Sequence, residues 1–184
     1  MRIIGGEFGG RRFNPPANIP ARPTTELAKE ALFNILTNSI DLDEIRTLDL
    51  FSGTGSITYE LASRGAAMVT AIEKDEKSFT FIKKMAADLG ITERTTLIRG
   101  DVFKYLKQCT EQFDLIFADP PYSLANIDEL PKTIFEKKLL VPGGLFVMEH
   151  GNRNNYDKHP NFSRAKNYGT SLFTIFTEPD KITE

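Results

Sequence analysis

At 184 residues, 40% hydrophobic and 26% charged, the chain has room for one good core and the composition of an ordinary soluble globular domain. No apolar run approaches membrane-spanning length, the start Met1-Arg2-Ile3-Ile4-Gly5-Gly6 lacks a signal-peptide apolar stretch, and a single Cys109 excludes an internal disulfide, which fits a reducing cytoplasm. The net charge of −2 does not advertise a nucleic-acid binder.

Its distribution says more. Residues 1–24 hold Arg2, Arg11, Arg12 and Arg22 against Glu7. Residues 151–176 hold Arg153, Lys158, Arg164 and Lys166 against Asp157. Basic ends flanking an acidic middle mark either an anion-binding face or a solvated surface with clustered charge. Cys109, His150 and His159 make no metal-ligand pattern, and no metal is expected. Cys109 reads as an inert packing or surface residue, and both histidines as surface residues.

In chain order, residues 1–23 are punctuated by Gly5-Gly6, Gly9-Gly10, Pro15-Pro16, Pro20 and Pro23, which predicts a small hairpin and an arm. With four arginines and few apolar side chains, this segment is expected to add little to the core. The spacing of Leu27, Ala28, Ala31, Leu32, Ile35 and Leu36 predicts a helix over 25–37. From there strand and helix patterns alternate: strand 47–51, helix 56–64, strand 68–73, helix 76–89, strand 95–99, short helix 102–108, strand 113–118, helix 127–137 and strand 144–149. Such a series implies a mainly parallel sheet covered by helices. Residues 161–166 and 171–177 then read as an antiparallel pair joined by Asn167-Tyr168-Gly169-Thr170.

The most informative residues are Asp119-Pro120-Pro121-Tyr122, directly after the apolar strand. An exocyclic amino group on a planar base is a poor nucleophile, because its lone pair is delocalised into the ring. A carboxylate and a proline-held backbone carbonyl can each accept one of its N–H bonds, drawing nitrogen density out of conjugation and aiming the lone pair. The prolines stiffen the turn, and Tyr122 offers a ring on which a base can stack. The plainer alternative is an ordinary Asp-Pro turn.

The stretch Thr47-Leu48-Asp49-Leu50-Phe51-Ser52-Gly53-Thr54-Gly55 is a strand running into a Gly-x-Gly turn before a helix, the unit of nucleotide-binding α/β folds. The third glycine of a dinucleotide fingerprint is absent. Asp49, placed in the strand-to-loop turn, would repel a diphosphate and suits a cationic ligand such as the amino-acid part of S-adenosylmethionine (AdoMet). Glu73, ending the next strand pattern, can bind ribose hydroxyls. Asp101 can accept from an adenine amino group, cap the following helix, or both. All four motifs fall at predicted carboxyl ends of strands, where ligands bind in this topology.

Arg2-Ile3-Ile4-Gly5-Gly6, Gly10-Arg11-Arg12, Arg22-Pro23-Thr24-Thr25, Glu30-Ala31-Leu32-Phe33-Asn34-Ile35-Leu36, the glycine loop through Ser56, Ser63-Arg64-Gly65-Ala66, Asp119–Tyr122 and Tyr168-Gly169-Thr170 together resemble the RsmD-like family of bacterial 16S rRNA guanine-N2 methyltransferases, from Met1 to about residue 177. Two departures stand out. Glu26-Leu27-Ala28-Lys29-Glu30 carries one basic residue where the family pattern has two, which lowers the RNA contact expected from that helix. Ser52 stands where Ala is common.

The resemblance implies a Rossmann-like class I AdoMet-dependent methyltransferase fold, with an antiparallel C-terminal hairpin and a small N-terminal β-hairpin extension. It divides the chain into residues 1–23, an rRNA-contacting arm, and 24–184, the methyltransferase domain. It implies AdoMet held by Asp49, Phe51, Ser52, Gly53, Thr54, Gly55, Glu73, Asp101 and Val102. Catalysis falls to Asp119, Pro120, Pro121 and Tyr122, and phosphate contacts to Arg11, Arg12, Arg22 and Lys166. The implied partner is 16S rRNA in the small ribosomal subunit or its assembly intermediate, met by a monomer away from any membrane. A DNA adenine-N6 methyltransferase shares the Asp-Pro-Pro-Tyr chemistry, but the chain lacks an evident target-recognition domain. A glutamine-amide methyltransferase would usually carry Asn in place of Asp119. A catalytically silent rRNA-binding assembly factor would not need Asp119 and the full glycine loop. A nicotinamide oxidoreductase would want the third glycine and not Asp49.

Overall fold

The computed structural model describes residues 1–20 and 24–180. The elements in chain order are α1 (Glu26–Thr37), β1 (Arg46–Leu50), α2 (Ser56–Ser63), β2 (Met68–Glu73), α3 (Glu76–Asp88), β3 (Thr95–Arg99), α4 (Val102–Gln108), β4 (Phe113–Ala118), α5 (Glu129–Glu136), β5 (Leu140–His150), β6 (Phe162–Tyr168) and β7 (Ser171–Thr177). They build a seven-stranded sheet in the order β3-β2-β1-β4-β5-β7-β6. The first five strands pair in parallel, and β7 runs antiparallel to both β5 and β6.

The alternating apolar pattern thus produces the expected mixed sheet. Both faces are covered. One core joins Leu32, Phe33, Leu36, Leu61, Ile82, Leu115 and Phe173 beneath α1, α2 and α3. The other joins Leu48, Leu106, Ile116, Ile134, Phe146 and Phe176 beneath α4 and α5. Strand order reverses between β1 and β4: the chain winds outward through β2 and β3, then returns to β1's other side. A crevice opens at that switch point, outside the carboxyl ends of the strands.

Three of the boundary differences from the sequence reading have a local cause. β1 ends at Leu50, because Phe51 adopts a left-handed φ of 60° that breaks the strand. β5 begins at Leu140, with a register shift against β4 that absorbs Pro142, Gly143 and Gly144. β6 runs on to Tyr168, so the hairpin turn shrinks to Gly169-Thr170, with Gly169 at a φ of 64°.

The N-terminal segment forms a small hairpin. Ile3 N–H donates to Arg11 C=O and Phe13 N–H to Met1 C=O, around an isolated bridge between Arg2 and Arg12. The expectation that it adds little to the core does not hold. Ile3, Phe8 and Phe13 are buried in the core beneath α1 and α2. Gly6 explains the contact: its φ is 77°, and a Cβ there would lie 1.9 Å from the Ser63 carbonyl oxygen. Only glycine lets the hairpin backbone settle on α2, where Glu7 N–H donates to that carbonyl at 2.7 Å.

A buried charge cluster completes the joint. Glu60 on α2 is 0% exposed and accepts from Ile4 N–H at 2.8 Å, Gly5 N–H at 2.9 Å and Arg64 Nε at 2.9 Å. Lys29 on α1, 1% exposed, lies 3.3 Å from the same carboxylate and donates to Arg2 C=O and Ser56 Oγ. The one basic residue that the family pattern left on this helix is therefore an internal pin and no candidate for RNA contact. The histidines are also reassigned. His150 is buried, with ring nitrogens 2.7 Å from Thr174 Oγ1 and 2.8 Å from Gly151 C=O, and His159 packs edge-on against Phe176. Burial lowers the His150 pKa and favours the neutral ring. Cys109 is buried.

Candidate active site

A cavity of about 780 Å³ lies along the carboxyl edge of the sheet. Each neighbouring strand delivers a wall. Phe51 and Gly53 follow β1, Glu73 ends β2, Asp101 and Val102 follow β3, and Asp119–Tyr122 follow β4. A small cleft beside it is lined by Asp49, Ser52 and Thr54, and shares Phe51, Gly53 and Asp119 with the cavity. Residues spread over 74 positions of sequence therefore meet because parallel strands align their carboxyl ends.

The glycine loop is held from below and from the side. Tyr59 on α2 is buried and donates through Oη to Thr54 C=O at 2.8 Å. A Cβ on Gly55 would fall 2.4 Å from that ring, and its φ is 82°. Gly55 is required by this packing, which shapes the loop. Phe13 of the N-terminal hairpin meets Tyr59 edge-on at 5.0 Å, and Thr54 Oγ1 lies 3.2 Å from Met1 Sδ. The hairpin thus backs the loop.

Glu73 accepts from Gly53 N–H at 2.7 Å through Oε2 and from Asp75 N–H at 2.7 Å through Oε1. Burial raises its pKa, and the backbone N–H bonds oppose that rise. Each oxygen keeps a further lone pair for a ligand hydroxyl. Asp49 sits inside β1 rather than in the turn after it, buried, with Oδ2 accepting from Thr58 Oγ1 at 2.6 Å. Burial pushes its carboxyl up to about 7, against the Thr58 hydrogen bond and with help from the nearby Glu73 charge. A buried acid with so high a pKa gains from a cationic neighbour. Asp101 caps α4, its Oδ1 accepting from Lys104 N–H at 3.1 Å, while also lining the cavity. The capping and ligand-binding roles are thus compatible at one residue. Ile72, Val102 and Phe103 supply apolar wall. Apolar faces, the carboxylates of Glu73 and Asp101 on the cavity wall and the buried carboxylate of Asp49 by the cleft suit a ligand with a flat ring, a ribose and a cationic end, as AdoMet has.

On the acceptor side, Tyr122 is 42% exposed, and its Oη donates to Glu149 Oε1 at 3.4 Å. Glu149 is buried near the carboxyl end of β5 and also accepts from Ser171 Oγ at 2.6 Å. The sequence reading missed Glu149. Its place at the carboxyl end of a strand, beside the Asp-Pro-Pro loop, is the signal that marks it. Pro20 and Thr24 also reach the site, lining the cavity and the cleft respectively. Arg11, Arg12 and Lys166 are exposed and line neither. Arg22 lies outside the described residues.

A mainly parallel seven-stranded sheet with this strand order, an acidic glycine-loop site and an Asp-Pro-Pro-Tyr loop on one edge defines a class I AdoMet-dependent methyltransferase. A solved structure described as a putative methyltransferase, yhhF from Escherichia coli, superposes with a TM-score of 0.85 at 27% identity, covering 98% of this chain and 99% of that one. The fold is shared more distantly with the T. thermophilus 16S rRNA N2 methyltransferase RsmC in complex with AdoMet and guanosine, at a TM-score of 0.68 and 19% identity over 86% of this chain and 44% of that one. Among curated relatives, ribosomal RNA small subunit methyltransferase D of Haemophilus influenzae is 34% identical over 152 residues, 81% of this chain and 78% of its own. The chain belongs to the RsmD-like methyltransferase family, whose model, described as conserved hypothetical protein 95, matches residues 1–177.

Proposed function

We propose that this protein methylates the exocyclic N2 amino group of a guanine in 16S rRNA, acting in the cytoplasm as a monomer on the small ribosomal subunit or its assembly intermediate. One observation carries the reading: the Asp119–Tyr122 loop faces the same cavity as Glu73 and Asp101, so an amino-group holder and an AdoMet site share one chamber. Family membership points the same way, as does a curated relative that bears the name of a small-subunit rRNA methyltransferase.

Bound AdoMet supplies a methyl group on a sulfonium, which departs as a neutral thioether as the N2 lone pair forms the new C–N bond. The chain's own residues supply position and electrostatics. Asp119 and the Pro120 carbonyl accept the two N2–H bonds and turn the lone pair toward the methyl carbon. Pro121 stiffens the loop, and Tyr122 stacks on the flipped base. The methylated nitrogen is strongly acidic and sheds its extra proton without a strong base. Glu73 and Asp101 hold the ribose and adenine ends, and Asp49 balances the cationic end through the cleft. The exposed Arg11, Arg12 and Lys166 stand ready for rRNA phosphates.

Mass spectrometry of rRNA nucleosides from cells lacking this gene tests the proposal. Loss of one N2-methylguanosine from the small subunit, restored by purified protein and AdoMet, is the expected result. Unchanged N2-methylguanosine at every small-subunit position overturns it, and methyl transfer to duplex DNA adenine instead would establish the DNA-modifying alternative.

A further inference from the structure

We infer that the tip of the β6–β7 hairpin is a second RNA-docking element, with Tyr168 as the stacking platform for an unpaired nucleotide beside the target and Arg164 and Lys166 as its phosphate contacts. The inference rests on the reaction proposed above and adds a surface to it.

Register places the tip at the active site. β7 runs antiparallel to β5 with His150 opposite Leu172, so Ser171 begins β7 beside the carboxyl end of β5. β5 is parallel to β4 with Met148 opposite Ala118, so Glu149 stands beside Asp119. A hydrogen-bond bridge joins the two elements. Glu149 Oε1 accepts from Ser171 Oγ at 2.6 Å and from Tyr122 Oη at 3.4 Å. One buried carboxylate therefore ties the hairpin tip to the ring proposed to stack on the flipped base.

Tyr168 lies across from Ser171 in the same turn, 37% exposed, with its ring 6.2 Å from that of Phe173. The large hydrophobic side chains left exposed among the described residues are Leu27, Tyr122 and Tyr168. Two of the three are tyrosines: Tyr122 bonds Glu149 directly, and Tyr168 is the ladder partner of Ser171, which bonds the same acid. Alternation along β6 puts Arg164, Lys166 and Tyr168 on one face, opposite Ile175, Phe173 and Ser171 in turn. Residues 158–177 carry Lys158, Arg164 and Lys166 and no acid. An aromatic ring at the end of a basic row is the arrangement that holds single-stranded nucleic acid.

A lysine on an exposed edge strand can also serve only to block edge pairing. Steady-state methylation of purified small subunits separates the two roles. Tyr168→Ala should raise KM for small subunits roughly tenfold, with kcat, AdoMet affinity and melting temperature close to wild type. Tyr168→Phe should behave as wild type, since stacking needs the ring and not the hydroxyl. Lys166→Ala, which empties no core, should flatten the salt dependence of small-subunit binding. Ultraviolet crosslinking on the subunit should attach the Tyr168 peptide to an rRNA nucleotide. An unaltered KM in Tyr168→Ala, equal losses in the Ala and Phe variants, or attachment of the Tyr168 peptide to a ribosomal protein would each overturn the docking surface while leaving the reaction standing. Failure of the wild-type protein to methylate small subunits at all would instead overturn the reaction.

Discussion

The backbone N–H of Gly53 donates to Glu73 Oε2 at 2.7 Å, so the acid that ends β2 also anchors the glycine loop after β1. Glu73→Ala removes the proposed ribose acceptor and frees the loop together. AdoMet binding should weaken by roughly 1.5–3 kcal/mol, the scale of a hydrogen bond to a charged group. Isothermal calorimetry measures it, and wild-type affinity in the variant would take Glu73 out of the site.

Asp49 predicts a pH dependence. Its native carboxyl pKa is raised by burial to about 7, so the proton is held more tightly in the folded protein than in the unfolded one. The stability this confers is full below the ordinary carboxylate range near 4 and is lost as pH climbs through about 7. A cationic ligand prefers the ionised form. AdoMet affinity should therefore rise between about pH 5.5 and 7.5, below the range where an α-amino group titrates. Thermal-shift titrations should show a larger AdoMet stabilisation at the upper pH, and Asp49→Asn should remove that slope.

Asp119 lines both the cavity and the cleft. Asp119→Ala should cut methyl transfer to small subunits on the order of a hundredfold, because the preorganised acceptor proposed at the reacting nitrogen is lost. AdoMet affinity should change far less. Near-normal single-turnover rates would reduce Asp119 to a turn residue.

Glu60 carries a different kind of load, since two hairpin N–H groups and two cations converge on it. Glu60→Ala leaves Lys29 buried without that partner, and should cost about 3–5 kcal/mol in urea unfolding. Hydrogen exchange should report residues 1–13 as the first region to lose protection. Uniform exchange across the domain would mean that the hairpin is held by its apolar side chains alone.

Arg11 and Arg12 are exposed on the hairpin, and among the described residues neither forms an ion pair, although Arg11 lies over the Phe8 ring at 5.1 Å. Replacing both with Ala should spare the melting temperature and AdoMet binding. The salt dependence of small-subunit binding should flatten by somewhat less than one unit of log–log slope per lost phosphate contact, roughly. An unchanged slope together with a lowered melting temperature would assign them to the fold.

The parallel strands were legible because burial on both faces writes continuous apolar runs, as in Leu115–Ala118. The acids that line the cavity were legible because topology opens the crevice at strand ends, as at Glu73 and Asp101. What escaped depends on distant partners. Gly5 and Gly6 read as hairpin punctuation, yet the demand on Gly6 comes from Ser63, more than fifty positions away. Lys29 read as the one basic residue left on its helix for RNA contact, until Glu60 met it in space. Glu149 looked like the polar end of a strand, and only the return of β7 supplies the Ser171 hydroxyl that explains its burial. The strand read as 144–149 begins four residues earlier, because a register shift against β4 accommodates Pro142 and the glycines after it.

The adjacency of β1 and β4 sets an order of events in time. The glycine loop and Glu73 emerge from the ribosome well before Asp119, yet the chamber closes only when β4 slots against β1, with Leu50 opposite Ala118. That pairing spans more than sixty residues and belongs to the slow, long-range part of folding. A chain that stops before β4 carries the glycine loop proposed to hold the methyl donor, but it has no place to present an acceptor to it. Competence for chemistry therefore requires this long-range pairing, and a folding experiment that follows methyl transfer should lag one that follows the β1–β2 pair.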